Sequence, residues 1–277
     1  MENKLDHYLK TWNLSDPQPL AATATSHVYT VAYEGETAVL KLLTPVGDEE
    51  KVGAIALDYW GGHGAVRLLR CDDQAHLLEY ASGENLVPLV KRGEDTQATE
   101  IIADVLTELH ASTSAPPEGL YPLKRWFRSL FMMAETDRHA GIESVFVRAA
   151  RIAEGLLDDP REVRVLHGDI HHENIRFKAG RGWLAFDPKG LLGERTFDVA
   201  NTFCNPLDMQ QELIGNEARV LTTAMIFSEK LKIDPDRLLA FTFSYLCLSA
   251  SWIREDGKVP ADELQIAALI EPHLKVR

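Results

Sequence analysis

The chain is sparing with several features that would place it at once. It has three cysteines in 277 residues, Cys71, Cys204 and Cys247, scattered in apolar contexts. That excludes a disulfide framework and reads as small buried hydrophobes in a reducing compartment. Basic charge is in deficit, with a formal net charge of −13. A nucleic-acid binder needs a basic face, so no nucleic-acid partner is expected. The acidic balance suits ordinary solubility, or a cationic small molecule steered by the field. Long apolar runs are missing too. The best span, Leu238 to Ile253, is short and carries Ser and Thr, so a buried core helix is expected there, with no membrane role. The opening residues, Met1 to His7, are polar and mixed in charge, unlike a leader peptide. The expected location is cytoplasmic. There is no internal repeat, low-complexity stretch, heptad or exposed apolar stripe, and a monomer is expected.

What is present is a core-forming composition, 45% apolar, and one segment dense in chemistry. His167-Gly168-Asp169-Ile170-His171-His172-Glu173-Asn174 is followed thirteen positions after Asn174 by Asp187. Two carboxylates and a carboxamide on short turns between strands form a kit for phosphoryl transfer. Asp169 would accept the proton of an attacking hydroxyl, and Asn174 and Asp187 would hold the Mg²⁺ that bridges the phosphates. Val163 to Leu166 reads as a buried strand leading in. Ile175 to Phe177 and Trp183 to Phe186 read as a hairpin around Lys178 to Gly182. The bland alternative is a polar turn with Asp169 and Asn174 capping backbone groups. A zinc site from His167, His171 and His172 is disfavoured, because strands flank the segment and no later His/Cys cluster completes a ligand set.

The first ninety residues read as strand-rich. Val28–Tyr33 and Ala38–Leu43 form a hairpin around Glu34-Gly35-Glu36, and a helix from about Asp48 to Trp60 is closed by Gly61-Gly62. Ala65–Arg70 and His76–Tyr80 form a second hairpin around Asp72-Asp73-Gln74. Beyond Ala81–Asn85 the pattern turns helical. Helices are expected over Thr96–Ala111 and near 122–139, 143–158, 197–203, 210–232, 236–254 and 261–274. The expected architecture is α+β and bilobal, with a nucleotide-binding β lobe over 1–82, a helical lobe over 83–277 and a ligand cleft between them.

The first lobe supplies the rest of the kit. Lys41 lies inside the apolar strand Val39–Leu43. It is either a snorkelling edge lysine or a lysine aimed at the α- and β-phosphates. The second role needs a carboxylate to hold it. Glu50 is favoured because Gly53 follows and permits close approach to the strand, with Glu49 as the alternative. Ala22–His27 precedes the first hairpin. Its small residues would let backbone N–H groups approach phosphates, and Thr25 and Ser26 add hydroxyl donors. At the lobe's end, Glu79 offers a backbone carbonyl and Ala81 an N–H to an adenine edge.

These residues resemble the protein-kinase-like small-molecule phosphotransferases, most closely the streptomycin 6-phosphotransferases of the aminoglycoside/hydroxyurea resistance kinase family. The similarity rests on Gly64–Leu69, Leu77–Ala81, Gln97–Ile101, Leu166–Ile175, Arg181–Leu184 with Asp187-Pro188, and Cys247–Trp252, in the same order across nearly the whole chain. The resemblance implies a kinase-like fold, ATP as donor, Mg²⁺ on Asn174 and Asp187, Asp169 as base, and Lys41 on the phosphates with Glu50 as its partner. It implies as acceptor a hydroxyl on the guanidino-cyclitol ring of streptomycin. Three departures from the wider kinase pattern stand out. Ala22–His27 replaces the glycine-rich loop, which leaves ATP versus GTP open. Asp187-Pro188-Lys189-Gly190 replaces Asp-Phe-Gly, and proline fixes the backbone there. Ten residues separate Asp187 from Asp198, too few for a long activation loop, so constitutive activity is expected. Trp252, Glu255 and Asp256 are expected to grip a cationic acceptor through stacking and ion pairing. His171, where protein kinases carry a lysine, and Lys189 are candidate cations near the transferred group. The competing readings are a kinase of another small alcohol or of hydroxyurea, and a nucleotide-binding module without catalysis.

Overall fold

A computed structural model describes residues 4–47, 49–209, 213 and 215–275. The first part of the chain is an antiparallel five-stranded sheet with two helices. Helix α1 (Lys4–Thr11) leads into β1 (Ser15–Ala22), β2 (Ser26–Tyr33) and β3 (Glu36–Leu43). Helix α2 (Glu50–Trp60) precedes β4 (Leu68–Cys71) and β5 (Ala75–Glu79). The sheet order is β1-β2-β3-β5-β4. The β2–β3 hairpin turns on Glu34 and Gly35, whose φ values of 51° and 85° give the two left-handed positions that a tight hairpin needs. Tyr8 of α1 and Trp12 just after it pack with Leu40, Leu42 and Leu77 on one face of the sheet. Neither α1 nor β1 was anticipated. β1 carries Pro17 and Pro19 and pairs only with β2, as proline confines a strand to an edge. Cys71 is exposed, against the expectation of three buried cysteines, because it ends the other edge strand, β4. Cys204 and Cys247 are buried.

The second part is mainly helical: α3 (Val87–Lys91), α4 (Asp95–Leu109), α5 (Leu123–Trp126), α6 (Arg128–His139), α7 (Val145–Asp158), α8 (Glu217–Leu231), α9 (Pro235–Glu255) and α10 (Ala261–Ile270). Three of their starts are capped by side chains: Ser144 accepts from Val147 N, Asn216 from Arg219 N and Asp234 from Asp236 N. The stretch expected as one helix over 122–139 breaks at Phe127 into α5 and α6. Asp48, the expected start of α2, and residues 210–212 and 214 of the expected 210–232 helix lie outside the described residues. Helix α9 is the apolar run of the sequence, and it is a core helix with Leu238, Phe241, Phe243 and Leu246 fully buried. No helix among the described residues is long and apolar enough to cross a membrane.

Short strands position the chemistry. β6 (Tyr121–Pro122), β10 (Leu191–Glu194) and β7 (Val163–Leu166) form one sheet; β8 (Ile175–Lys178) and β9 (Gly182–Ala185) form a hairpin. β10 was not anticipated. It pairs antiparallel to β7, Leu191 opposite Leu166, which carries the segment after Asp187 back beside the loop after β7.

Candidate active site

The loop His167–Asn174 is shaped by a carboxylate that sequence reading left without a role. Asp198, buried in the 3₁₀ turn Arg195–Cys204, accepts from His167 N at 2.9 Å, from Gly168 N at 2.7 Å and faces His110 Nε2 at 2.8 Å. A carboxylate with these partners fixes loop amides that would otherwise be buried orphans. His167 spends both ring nitrogens on backbone. Nε2 donates to Phe186 O at 3.0 Å, and Nδ1 accepts from Asp169 N at 3.2 Å. Burial holds it below its ordinary pKa, against the pull of Asp198 and Asp169, so it is neutral and structural. His171 Nδ1 faces Glu173 Oε2 at 2.7 Å. His172 is wholly buried under the loop with neither ring nitrogen hydrogen-bonded. The three histidines therefore face three different surroundings.

Asp169 is held from two sides. Asn201 Nδ2 donates to its Oδ1 at 2.8 Å, and Asn174 Nδ2 donates to its main-chain oxygen at 2.9 Å. Lys189 Nζ stands 3.4 Å from Asp169 Oδ2 and 3.9 Å from Asp187 Oδ2. Burial alone would push Lys189 down, but Asp169, Asp187 and Glu50 outweigh it and hold the ammonium above its ordinary value. Asp187 has φ 62°, a left-handed conformation that aspartate tolerates, ahead of a proline that disfavours the right-handed helical region. Burial would raise its carboxyl, but Lys41 and Lys189 hold it below the usual range. Asn201 was missed at the sequence level. Its only signal was a polar residue in the apolar turn Phe197–Phe203.

Lys41, in β3, pairs with Glu50 Oε2 at 2.5 Å and with Asp187 Oδ1. Glu50 rather than Glu49 is thus the lysine's partner. Gly53 matters for a different reason from the one expected: a Cβ there would collide with the carbonyl of Pro188, and one at Gly190 with that of Val52. The two glycines let α2 lie directly on the Asp187 loop. Thr25 Oγ1 donates to Glu50 Oε1 at 2.8 Å, and Ser26 shares its hydroxyl with Thr23 Oγ1 at 3.2 Å. The backbone amides of Thr25 and Ser26 both turn to Thr23 Oγ1. A threonine hydroxyl thus orders the β1–β2 tip.

Lys41, Glu50, Asp187, Lys189, Thr25 and Ser26 line a cavity of about 510 Å³, walled by Val39, Val66, Leu78 and Phe186 and closed by Glu79 to Ala81. The Glu79 carboxylate is turned away to Arg181 and to Arg67 N at 3.1 Å, and Lys178 Nζ donates to Tyr80 O at 3.0 Å. The β8–β9 hairpin thereby fixes this edge. The oxygen chemistry at the mouth suits a hard divalent cation. Asn174 donates through its nitrogen, so its carboxamide oxygen and the Asp187 carboxylate are the groups that would hold such a cation.

A second cavity, about 280 Å³, is lined by Glu49, Tyr121, Arg125, Trp126, Arg128, Ser129 and Trp252. It adjoins the Asp187 loop, since Tyr121 N donates to Gly190 O at 3.1 Å. Trp126 and Trp252 meet edge to face at 5.7 Å, and the buried Trp126 indole N–H has no partner. Glu49 and Glu50, adjacent in sequence, thus line different cavities. Trp252 is separated from the two acids expected to act with it: Glu255 and Asp256 are exposed at the end of α9 and do not line this cavity.

Comparison with known proteins follows the same lines. The aminoglycoside/hydroxyurea antibiotic resistance kinase family matches residues 11–257. The streptomycin 3''-kinase of Klebsiella pneumoniae is 39% identical, over 90% of this chain and 92% of that protein. The streptomycin 6-kinase of Streptomyces griseus is 31% identical, over 86% and 79%. An amicoumacin kinase solved with AMP-PNP and Ca²⁺ superposes with a TM-score of 0.66 at 17% identity, over 97% of this chain and 92% of that one.

Proposed function

The chain belongs to the aminoglycoside/hydroxyurea antibiotic resistance kinase family, and we propose that it transfers the γ-phosphoryl group of ATP to a hydroxyl of an aminoglycoside, inactivating it. Streptomycin is the favoured acceptor and the 6-hydroxyl of its streptidine ring the favoured position. One observation carries the reading. Asp169 stands beside Lys189, and Lys189, Lys41, Glu50 and Asp187 meet at the mouth of one cavity of nucleotide size. Relatives whose names carry streptomycin support the acceptor, while their names divide between the 3'' and 6 positions.

In this reading the adenine edge lies along Glu79 to Ala81, and Lys41, held by Glu50, binds the α- and β-phosphates. Asn174 and Asp187 would hold Mg²⁺, which would neutralise phosphate charge when bound. The acceptor oxygen forms a bond to the γ-phosphorus as the bond from that phosphorus to the β–γ bridging oxygen breaks, and ADP leaves with that oxygen. Asp169 takes the hydroxyl proton. Asn201 orients Asp169, and Lys189 stands against the charge that gathers between base and phosphate. Trp252, with Trp126, forms an apolar wall for the acceptor ring, Glu49 lies opposite, and Glu255 and Asp256 face solvent beyond it. His171, with Nε2 free of the Glu173 contact, is a secondary donor to the transferred group.

The test is ADP release from MgATP with streptomycin, other aminoglycosides, hydroxyurea and no acceptor, with Asp169→Ala as blank. Streptomycin-dependent turnover is expected, falling about 10²–10⁴-fold in the variant while MgATP still binds. Phosphorus NMR of the product then locates the phosphate on streptidine or on the methylamino sugar. Nucleotide binding without streptomycin turnover overturns the acceptor assignment.

A further inference from the structure

Phe127 is fully buried and meets Phe197 edge to face at 5.7 Å, which pins the break between α5 and α6 into the core. The residues on either side of it, Arg125, Trp126, Arg128 and Ser129, all line the cavity of about 280 Å³. Each brings a hydrogen-bond donor, and none of the four donors is used. Arg125 lies over the Tyr121 ring, 4.1 Å from its centre, and neither it nor Arg128 has an ion pair or hydrogen bond among the described residues. The hydroxyl of the buried Ser129 is equally without a partner among them. The Trp126 indole N–H is buried at the wall with no acceptor, and no other residue lining either cavity beside the Asp187 loop holds such an orphaned atom. A buried donor without a partner costs more than a typical hydrogen bond returns.

Another arginine-lined cavity, about 530 Å³ between α7 and the start of α9, shows the contrast. There Arg148 pairs with Glu271 at 2.5 Å, Arg151 with Glu143 at 3.2 Å and Arg237 with Glu194 at 2.7 Å. Those guanidinium groups hold the fold together, whereas Arg125 and Arg128 hold nothing. The one carboxylate lining their cavity is Glu49, exposed at its rim. A guanidinium or ammonium entering it would meet two like charges and one opposite charge, which disfavours a cationic guest. Trp252, Trp126 and Tyr121 supply aromatic faces. Apolar faces edged with donors suit a sugar ring, whose C–H faces are apolar and whose edge is rich in oxygen acceptors. Pockets for drug-sized ligands run from about 300 to 1,000 Å³, so a cavity of about 280 Å³ takes one ring rather than a whole multi-ring molecule.

We infer that this cavity is the subsite for an uncharged sugar ring of the acceptor. Its oxygens accept from Arg125, Arg128, Ser129 and the Trp126 N–H, and the two arginines turn the cationic rings away, which decides the end of the molecule presented to Asp169. The inference deepens the acceptor reading above and rests on it. In streptomycin such a ring is the sugar between the two cationic ones. Arginine suits the task because its planar fork of donors can reach two neighbouring oxygens at once.

The experiment is steady-state kinetics of the double variant Arg125→Met, Arg128→Met, with streptomycin and MgATP varied separately. Methionine keeps the apolar stem and removes charge and donors. Both arginines are exposed, so the melting temperature should hold. The expected result is a streptomycin KM raised about tenfold, the scale of one or two lost hydrogen bonds, at an unchanged MgATP KM. Trp126→Phe, which keeps an aromatic ring and removes the N–H, should raise the streptomycin KM about threefold. A lowered streptomycin KM in the double variant would mean that the arginines repel a cationic ring seated beside them, and overturns the inference. So does an unchanged KM, or an equal rise for both substrates. Wild-type protein without aminoglycoside turnover overturns the acceptor reading and this inference together; turnover with an unchanged KM in the double variant overturns this inference alone.

Discussion

The two cavities beside the Asp187 loop are built on opposite plans. On the side proposed for the nucleotide the ionic groups are already paired: Lys41 with Glu50 and Asp187, Lys189 with Asp169, Glu79 with Arg181. On the other side the buried Trp126 indole N–H stands without a partner at the cavity wall. A phosphate-and-metal site has one chemistry to serve, so its cations and carboxylates can be fixed in advance against one another. An acceptor site must bring a varied molecule into register, and leaves its polar atoms for that molecule to complete.

The largest expected effect breaks the paired side. Lys41→Met removes the cation between Glu50 and Asp187 and leaves two half-buried carboxylates facing each other. We expect kcat/KM for MgATP to fall about 10²–10³-fold, the scale of losing one preorganised charge contact. The acceptor KM should hardly move. Stopped-flow nucleotide binding and steady-state rates check both, and equal damage to the two substrates would mean the cavities are not separable.

Next is a control that should strike both sides alike. His172 lies under the loop that serves both, and burial, helped by Arg219, lowers its pKa from 6.5 to about 3. A folded pKa below the unfolded one means the unfolded chain takes up the proton first. The stability is therefore present above pH 6.5 and is lost as pH falls toward 3. At pH 4.5 the loss is about 2–3 kcal/mol from this residue alone. His172→Leu should lessen the difference in urea stability between pH 7 and pH 4.5 by about that amount. An identical pH dependence in the variant would show that other groups dominate.

How far this was legible follows from the same contrast. That Asp169, Asn174, Asp187, Lys41 and Glu50 come together could be read, because the proposed phosphoryl transfer calls for those residue types at strand ends, and strands of alternating or apolar pattern are visible locally. Asn201, and the role of Asp198, could not. They act through β10 and the 3₁₀ turn after it, whose pairing with β7 is a long-range event that no local period announces. Helix α1 and strand β1 escaped for a related reason: α1 is short, and prolines in β1 argue against a strand until its edge position is known.

Adjacent residues sharpen the comparison further. Glu50→Gln should raise the MgATP KM about tenfold and leave the acceptor KM alone. Glu49→Gln should do the reverse on a smaller scale, since Glu49 is exposed at the rim of its cavity. The pair is informative because both substitutions are chemically identical and one peptide unit apart. Matching KM shifts in the two variants would mean that α2 responds as a rigid unit rather than as a divider between sites.

The smallest expected effect concerns Glu255 and Asp256. Both are exposed, about one turn of helix beyond Trp252, outside the cavity lining. Charges so placed act on a cation through water, and at physiological salt their reach is about 8 Å. Exposed pairs are worth about 0–1 kcal/mol. The double variant Glu255→Gln, Asp256→Asn should therefore raise the acceptor KM no more than about threefold at 0.15 M salt, and the difference should vanish at 1 M. A larger shift that survives high salt would require these side chains to touch the acceptor and would place the cationic end of the substrate at the helix terminus.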